Sequence, residues 1–83
     1  MLRAFNKNQI LILSQISNNS SETISSLLRK LEKEFKVPLS TLKLNAKILK
    51  DLNLIDFGNS SPAKLTELGK FIINIIGGEE NEQ

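Results

Sequence analysis

The stretch VPLSTLKLNAKILKDLNLI, residues 37–55, decides the fold. Val37-Pro38 breaks the helical periodicity before it, because the residue ahead of a proline is pushed out of the α region while proline itself fits the first turn of a new helix. Leu39, Leu42, Ala46, Leu49 and Leu52 then recur three and four residues apart, the spacing of one helix face at about 100° per residue. Asn53 follows, and asparagine tolerates the left-handed backbone that a helix end favours. From Leu54 the pattern turns extended, with Leu54, Ile55 and Phe57 leading into Gly58-Asn59-Ser60-Ser61-Pro62.

Working outward, Leu27, Leu28, Leu31 and Phe35 predict a helix from about Ser21 to Phe35, with Asn19 (Glu22 three residues on) or Ser25 as its N-cap. Two helices joined by so short a turn cross steeply, as in a helix-turn-helix. Before them, Leu2, Phe5, Ile12, Leu13 and Ile16 share one face of a first helix ending at Ser17. Ile10 sits at the edge of that face and Leu11 well outside it. After them, the Gly, Asn, Ser and Pro of residues 58–62 mark the turn of a hairpin that returns through Ala63-Lys64-Leu65. Thr66 then reads as an N-cap, with Glu67 well placed in the first turn. Leu68, Phe71, Ile72, Ile75 and Ile76 form the stripe of a last helix, with a stop at Gly77-Gly78. The expected fold class is therefore mainly α with a small β-hairpin, ordered helix, helix, helix, hairpin, helix. One domain over residues 1–77 and an acidic disordered tail over 78–83, carrying Glu79, Glu80 and Glu82, account for the chain.

Eighty-three residues make one small core, and a chain of this size buries only about 60–65 % of its unfolded surface, which makes a partner subunit plausible. With no cysteine and no histidine, disulfides, thiolate nucleophiles, imidazole bases and the usual zinc ligand sets are excluded. The nine carboxylates, the hydroxyls and the lysines show no phosphate-loop, nucleophile-elbow or metal-ligand spacing. No catalytic residue, cofactor or metal is expected. The longest apolar run, Ile10–Leu13, is four residues, far below the roughly 20 that span a bilayer. Met1-Leu2-Arg3 does not open a signal peptide, so the expectation is a cytoplasmic protein with no membrane partner. Net charge is only +2, yet seven basic residues lie between Arg29 and Lys50 against two acids, Glu32 and Glu34.

The run of residues 37–55, followed by LTELGK at 65–70, resembles the winged helix-turn-helix transcriptional regulators of bacteria and archaea. In that family a recognition helix leads through a glycine and an apolar pair into a β-wing, which often closes on a Leu-Thr-x-x-Gly run. Here Leu42, Ala46 and Leu49 supply the helix spacing, Asn53-Leu54-Ile55 the exit, and Leu65-Thr66-Glu67-Leu68-Gly69 the closure. The chain departs from the pattern by carrying Asn53 in place of the glycine, and by running about one helical turn longer between Leu27 and Leu42. The resemblance implies sequence-specific binding of double-stranded DNA by a homodimer, with a recognition helix at about 38–53 in the major groove.

With Leu42 inward, Ser40, Lys43, Leu44 and Lys47 face outward, and Thr41 and Asn45 lie at the margins. Lys43 and Lys47 suit guanine edges or phosphates, Asn45 an adenine if turned outward, and Leu44 a thymine methyl. Arg29, Lys36, Lys50 and, on the wing, Lys64 are candidate phosphate contacts, adding affinity without sequence information. Leu11, Ile73 and Ile76 are candidate dimer contacts, since Leu11 and Ile73 fall outside their helices' inward stripes and both terminal helices are apolar around much of their circumference. A second reading stays open: a winged-helix protein-interaction module, with Leu44 and Ile48 as its apolar patch and the lysines as solubilising charge.

Overall fold

Proline 38 does what its chemistry requires. In the computed structural model, which describes residues 5–18, 22–58 and 60–81 and side chains as far as residue 75, it is the N-cap of a helix that starts at Leu39. The elements run α1 (Lys7–Asn18), α2 (Ile24–Phe35), α3 (Leu39–Asp51), β1 (Ile55–Asp56), β2 (Lys64–Leu65) and α4 (Glu67–Asn81). Among the described residues the fold is thus mainly α with one antiparallel hairpin, in which Ile55 pairs with Leu65 and Asp56 with Lys64. This is the helix-helix-helix-wing-helix architecture of a winged helix-turn-helix.

The core lies where α1, α2 and α3 meet. Ile12, Leu13, Leu27, Leu31, Leu42, Leu49 and Ile55 are each at most 1 % exposed. Full burial of such side chains stabilises by about 1.5–3 kcal/mol apiece. Leu52, expected on the same face of α3 as Leu42, is instead 53 % exposed, because it caps the helix and the chain turns away there.

Each helix end has a specific chemical cause. α1 begins at Lys7 rather than near Leu2: the Asn6 side chain accepts from the Gln9 N–H at 2.8 Å while the Gln9 side chain accepts from the Asn6 N–H at 3.1 Å, a reciprocal capping box. α2 is capped by Thr23, whose hydroxyl accepts from the Ser26 N–H, rather than by Ser25. Leu2, Asn19 and the Ile76 side chain lie outside the described residues. α2 ends at Lys36, which adopts φ 58° and donates its N–H to the Glu32 carbonyl. α3 ends in a Schellman motif: Asn53 takes φ 63°, its N–H bonds the Lys50 carbonyl at 2.9 Å, and the Leu54 N–H bonds the Leu49 carbonyl at 3.0 Å.

The wing is tied at both ends. Its return strand is anchored to the start of α2 by the Ala63 N–H to the Glu22 carbonyl at 2.8 Å, next to a bridge between Thr23 and Pro62. Thr66 joins the wing, α3 and α4. Its N–H donates to the Leu54 carbonyl, its hydroxyl donates to the Asn53 carbonyl at 2.7 Å, and the same hydroxyl caps α4 by accepting from the Gly69 N–H at 3.0 Å.

α4 departs from the expected orientation. Leu68 and Phe71, expected inside, are 46 % and 59 % exposed, whereas Ile73, expected outside, packs half-buried against the core beside Ile72. The packed face is turned by roughly one residue, about 100°. Gly69 is the reason: a Cβ there would overlap the Leu54 carbonyl oxygen and lie 3.0 Å from its carbon. Only a glycine lets α4 sit down on that carbonyl, and its position fixes which side of the helix faces inward. The backbone of α4 also continues through Gly77-Gly78 to Asn81, past the expected stop. Each glycine there costs a helix about 1 kcal/mol, which a helix can carry when nothing forces a left-handed turn.

Candidate nucleic-acid interface

α3 presents two chemically different flanks. Leu42, Asn45, Ala46 and Leu49 are buried, and Ser40, Lys43, Leu44 and Lys47 are exposed, as the helical spacing requires. Thr41 is half-buried. On the flank toward α2 stand Lys43, Lys47 and Lys50, and on the other stand Leu44 (60 % exposed), Ile48 (half-buried) and Leu52.

Asn45 is not part of this outward face, which corrects the expectation that it reads a base. It is 5 % exposed; its amide donates to the Thr41 carbonyl at 2.8 Å and its carbonyl oxygen accepts from the Asn6 side chain at 3.0 Å. Asn45 thus locks the capped start of α1 to the middle of α3. A buried amide held on both its nitrogen and its oxygen by partners inside the protein is not presented to a base edge.

The structure brings four of the sequence's basic candidates to one place. Arg29 from α2 and Lys43, Lys47 and Lys50 from α3 line a half-open groove of about 500 Å³, together with Asp51. Its floor is apolar, made by Ile24 and Leu28 of α2, Leu39 and Ala46 of α3, and Phe57 at the root of the wing. Lys50 is held in position: its ammonium donates to the Phe57 carbonyl at 2.9 Å and lies 4.5 Å from the centre of the Phe57 ring. Among the described residues no carboxylate oxygen comes within 4.0 Å of the Arg29, Lys43, Lys47 or Lys50 head groups; the ion pairs present are Lys30–Glu22 at 2.8 Å and Lys70–Glu67 at 3.5 Å.

Lys36 and Lys64 do not line this groove. Lys36 is exposed at the left-handed end of α2, and Lys64 is exposed on β2, beside a second cleft that it lines with Lys70, Ile16 and Ile73. The apolar floor went unrecognised in the sequence, because its residues come from α2, α3 and the root of the wing, and Leu28, Leu39 and Ala46 read there as ordinary stripe positions of two separate helices.

Of the candidate dimer contacts, Leu11 is half-buried and Ile73 is taken up by the core. The exposed apolar ridge of α4 is formed instead by Leu68 and Phe71, with Ile75 half-buried one turn on. No described helix is long and apolar enough to cross a membrane. Among the described residues no three acidic side chains gather as a cation cage.

No protein-family model matches the sequence, and no curated protein matches it. Among solved structures, the chain is similar to the crystal structure of SSV1 F-93, at 19 % sequence identity and a TM-score of 0.68, covering 95 % of this chain and 96 % of that one. A likeness at that identity is one of fold, and it extends over nearly the whole length of both chains.

Proposed function

We propose that the chain is a non-catalytic, sequence-specific double-stranded DNA-binding protein, a transcriptional regulator that works as a homodimer and sets α3 in the major groove. The observation that carries this reading is the pair Lys43 and Lys47, exposed one turn apart on the third helix of a winged helix-turn-helix fold, with no carboxylate oxygen within 4.0 Å of either ammonium among the described residues. Ammonium groups so placed suit guanine edges and phosphates. Arg29 and Lys50 stand beside them as phosphate contacts, with Lys36 and Lys64 further out. Ser40, Thr41 and Leu44 complete the face offered to the groove. Pairing of two copies is supported by Leu68 and Phe71, whose apolar surface on α4 is 46 % and 59 % exposed among the described residues.

The test is a titration of mixed-sequence duplex DNA at two salt concentrations. Binding should weaken steeply with salt, and the variant Lys43→Ala/Lys47→Ala, which removes two lysines from each protomer, should lower the slope of log affinity against log salt by about 4 for the bound homodimer. If the double variant binds as the parent does, α3 is not the reader.

One observation favours a second reading, a protein-interaction module: Leu44, Ile48 and Leu52 follow one another at four-residue spacing along the other flank of α3, with Leu44 and Leu52 more than half exposed. Absence of duplex binding even at low salt would select that reading.

A further inference from the structure

We infer that the groove between α2 and α3 is a binding site for a small anionic amphiphile, a molecule with one carboxylate or comparable anionic head and a short apolar body. Three features of the groove point to that chemistry together. Its volume of about 500 Å³ falls within the roughly 300–1,000 Å³ of small-molecule sites. Its floor, Ile24, Leu28, Leu39, Ala46 and Phe57, is apolar and drawn from three elements, so it is shaped by the tertiary fold and does not belong to one helix. Around it stand Arg29, Lys43, Lys47 and Lys50, opposed by Asp51 alone.

A neutral apolar guest would gain nothing from those four charges, and a cation would be repelled by them. An anionic head satisfies them while its body covers the floor. Lys50 is pre-positioned for the head, because the Phe57 carbonyl and ring already fix its ammonium and only part of its donor capacity is used. Restricting that side chain before the ligand arrives reduces the ordering cost of binding.

Occupancy draws on the same Lys43 and Lys47 that the DNA reading assigns to the duplex. The ligand therefore competes with DNA and acts as a releasing signal; this regulatory half rests on that reading, whereas the site itself does not.

The probes are octanoate, octan-1-ol and octyltrimethylammonium, titrated separately into the full chain without DNA and followed by amide chemical shifts, with sodium chloride added to match ionic strength. Octanoate should shift the amides of Ile24, Leu28, Ala46 and Phe57 saturably and bind roughly tenfold or more tighter than octan-1-ol, as expected when a charge-assisted contact is added. Octyltrimethylammonium should leave them in place. Ser25→Phe, which adds bulk at an exposed position lining the groove, should abolish the octanoate response while the melting temperature is kept. Equal responses to all three probes, or shifts confined to the Leu68–Phe71 ridge, would overturn the site.

DNA titrations with and without saturating octanoate then read the second half. Weakened binding is expected. Unchanged DNA affinity in a protein that binds both overturns the competition. Octanoate binding in a protein that never binds DNA overturns the DNA reading and leaves the ligand site standing.

Discussion

Gly69→Ala is the substitution for which the structure gives the sharpest forecast. In an exposed helix the change would stabilise by about 1 kcal/mol, through helix propensity alone. Here the new methyl group would overlap the Leu54 carbonyl oxygen, a backbone atom that no rotamer change can move aside. Overpacking of this kind costs about 1–3 kcal/mol. Relief by lifting α4 also loosens the Thr66 N–H bond to Leu54 and the Thr66 hydroxyl bond to Asn53, each contributing about 0.5–1.5 kcal/mol. The net expectation is a loss of about 3 kcal/mol. At about 4–8 °C per kcal/mol for a domain of this size, the melting temperature should fall by about 12 °C or more. Urea and thermal unfolding followed by circular dichroism measure this directly, with the exposed α4 position Asn74→Ala as the control that should gain a little stability. If Gly69→Ala melts at or above the parent, α4 is not seated on the Leu54 carbonyl and its packed face has been assigned wrongly.

Three further outcomes follow from other contacts. Asn45→Ala should destabilise by about 1–3 kcal/mol, since it removes two hydrogen bonds of a buried side chain, to Asn6 and to the Thr41 carbonyl, each contributing about 0.5–1.5 kcal/mol. Its DNA affinity, measured well below melting, should match the parent's, and a selective loss of affinity for one base pair would restore Asn45 as a reader. Thr23→Ala should cost about 1 kcal/mol in urea unfolding through loss of the α2 cap, with Thr23→Asn recovering most of it. Phe71→Glu should shift the sedimentation profile toward monomer without lowering stability within the chain, because the ring is 59 % exposed. An unchanged profile would remove α4 as the pairing surface.

How far the fold was legible in the sequence depends on where each local signal lay. α3 was readable because Pro38, the Leu42-Ala46-Leu49 spacing and Asn53 each restrict the same few residues, and they agree. Thr66 was readable as a cap for the same reason. The phase of α4 was not, since a helix apolar around much of its circumference lets the stripe be drawn with Ile72 beside either Leu68 and Phe71 or Gly69 and Ile73, and its orientation is set by one close approach at Gly69 that only the tertiary structure supplies. The start of α1 was misplaced although its signal was present: Asn6 and Gln9 form a capping pair at ordinary spacing, but the apolar Leu2 and Phe5 extended the apparent stripe past it. Within the site, the exposure of Lys43 and Lys47 followed from periodicity. The burial of Asn45 did not, because its partner Asn6 lies 39 residues away.

The hydroxyl and amide of Thr66 have a mechanical meaning beyond capping. α4 starts on the same two carbonyls, Asn53 and Leu54, at which α3 turns out of its helix, so no slack chain separates them. A pair of copies joined through α4 would hold its two α3 helices like the jaws of a fixed caliper, with the gap set by the seam between the α4 helices. Such an instrument measures one spacing. A single base pair inserted between half-sites turns one of them by about 35° around the duplex, and a caliper without a hinge has no joint with which to follow it.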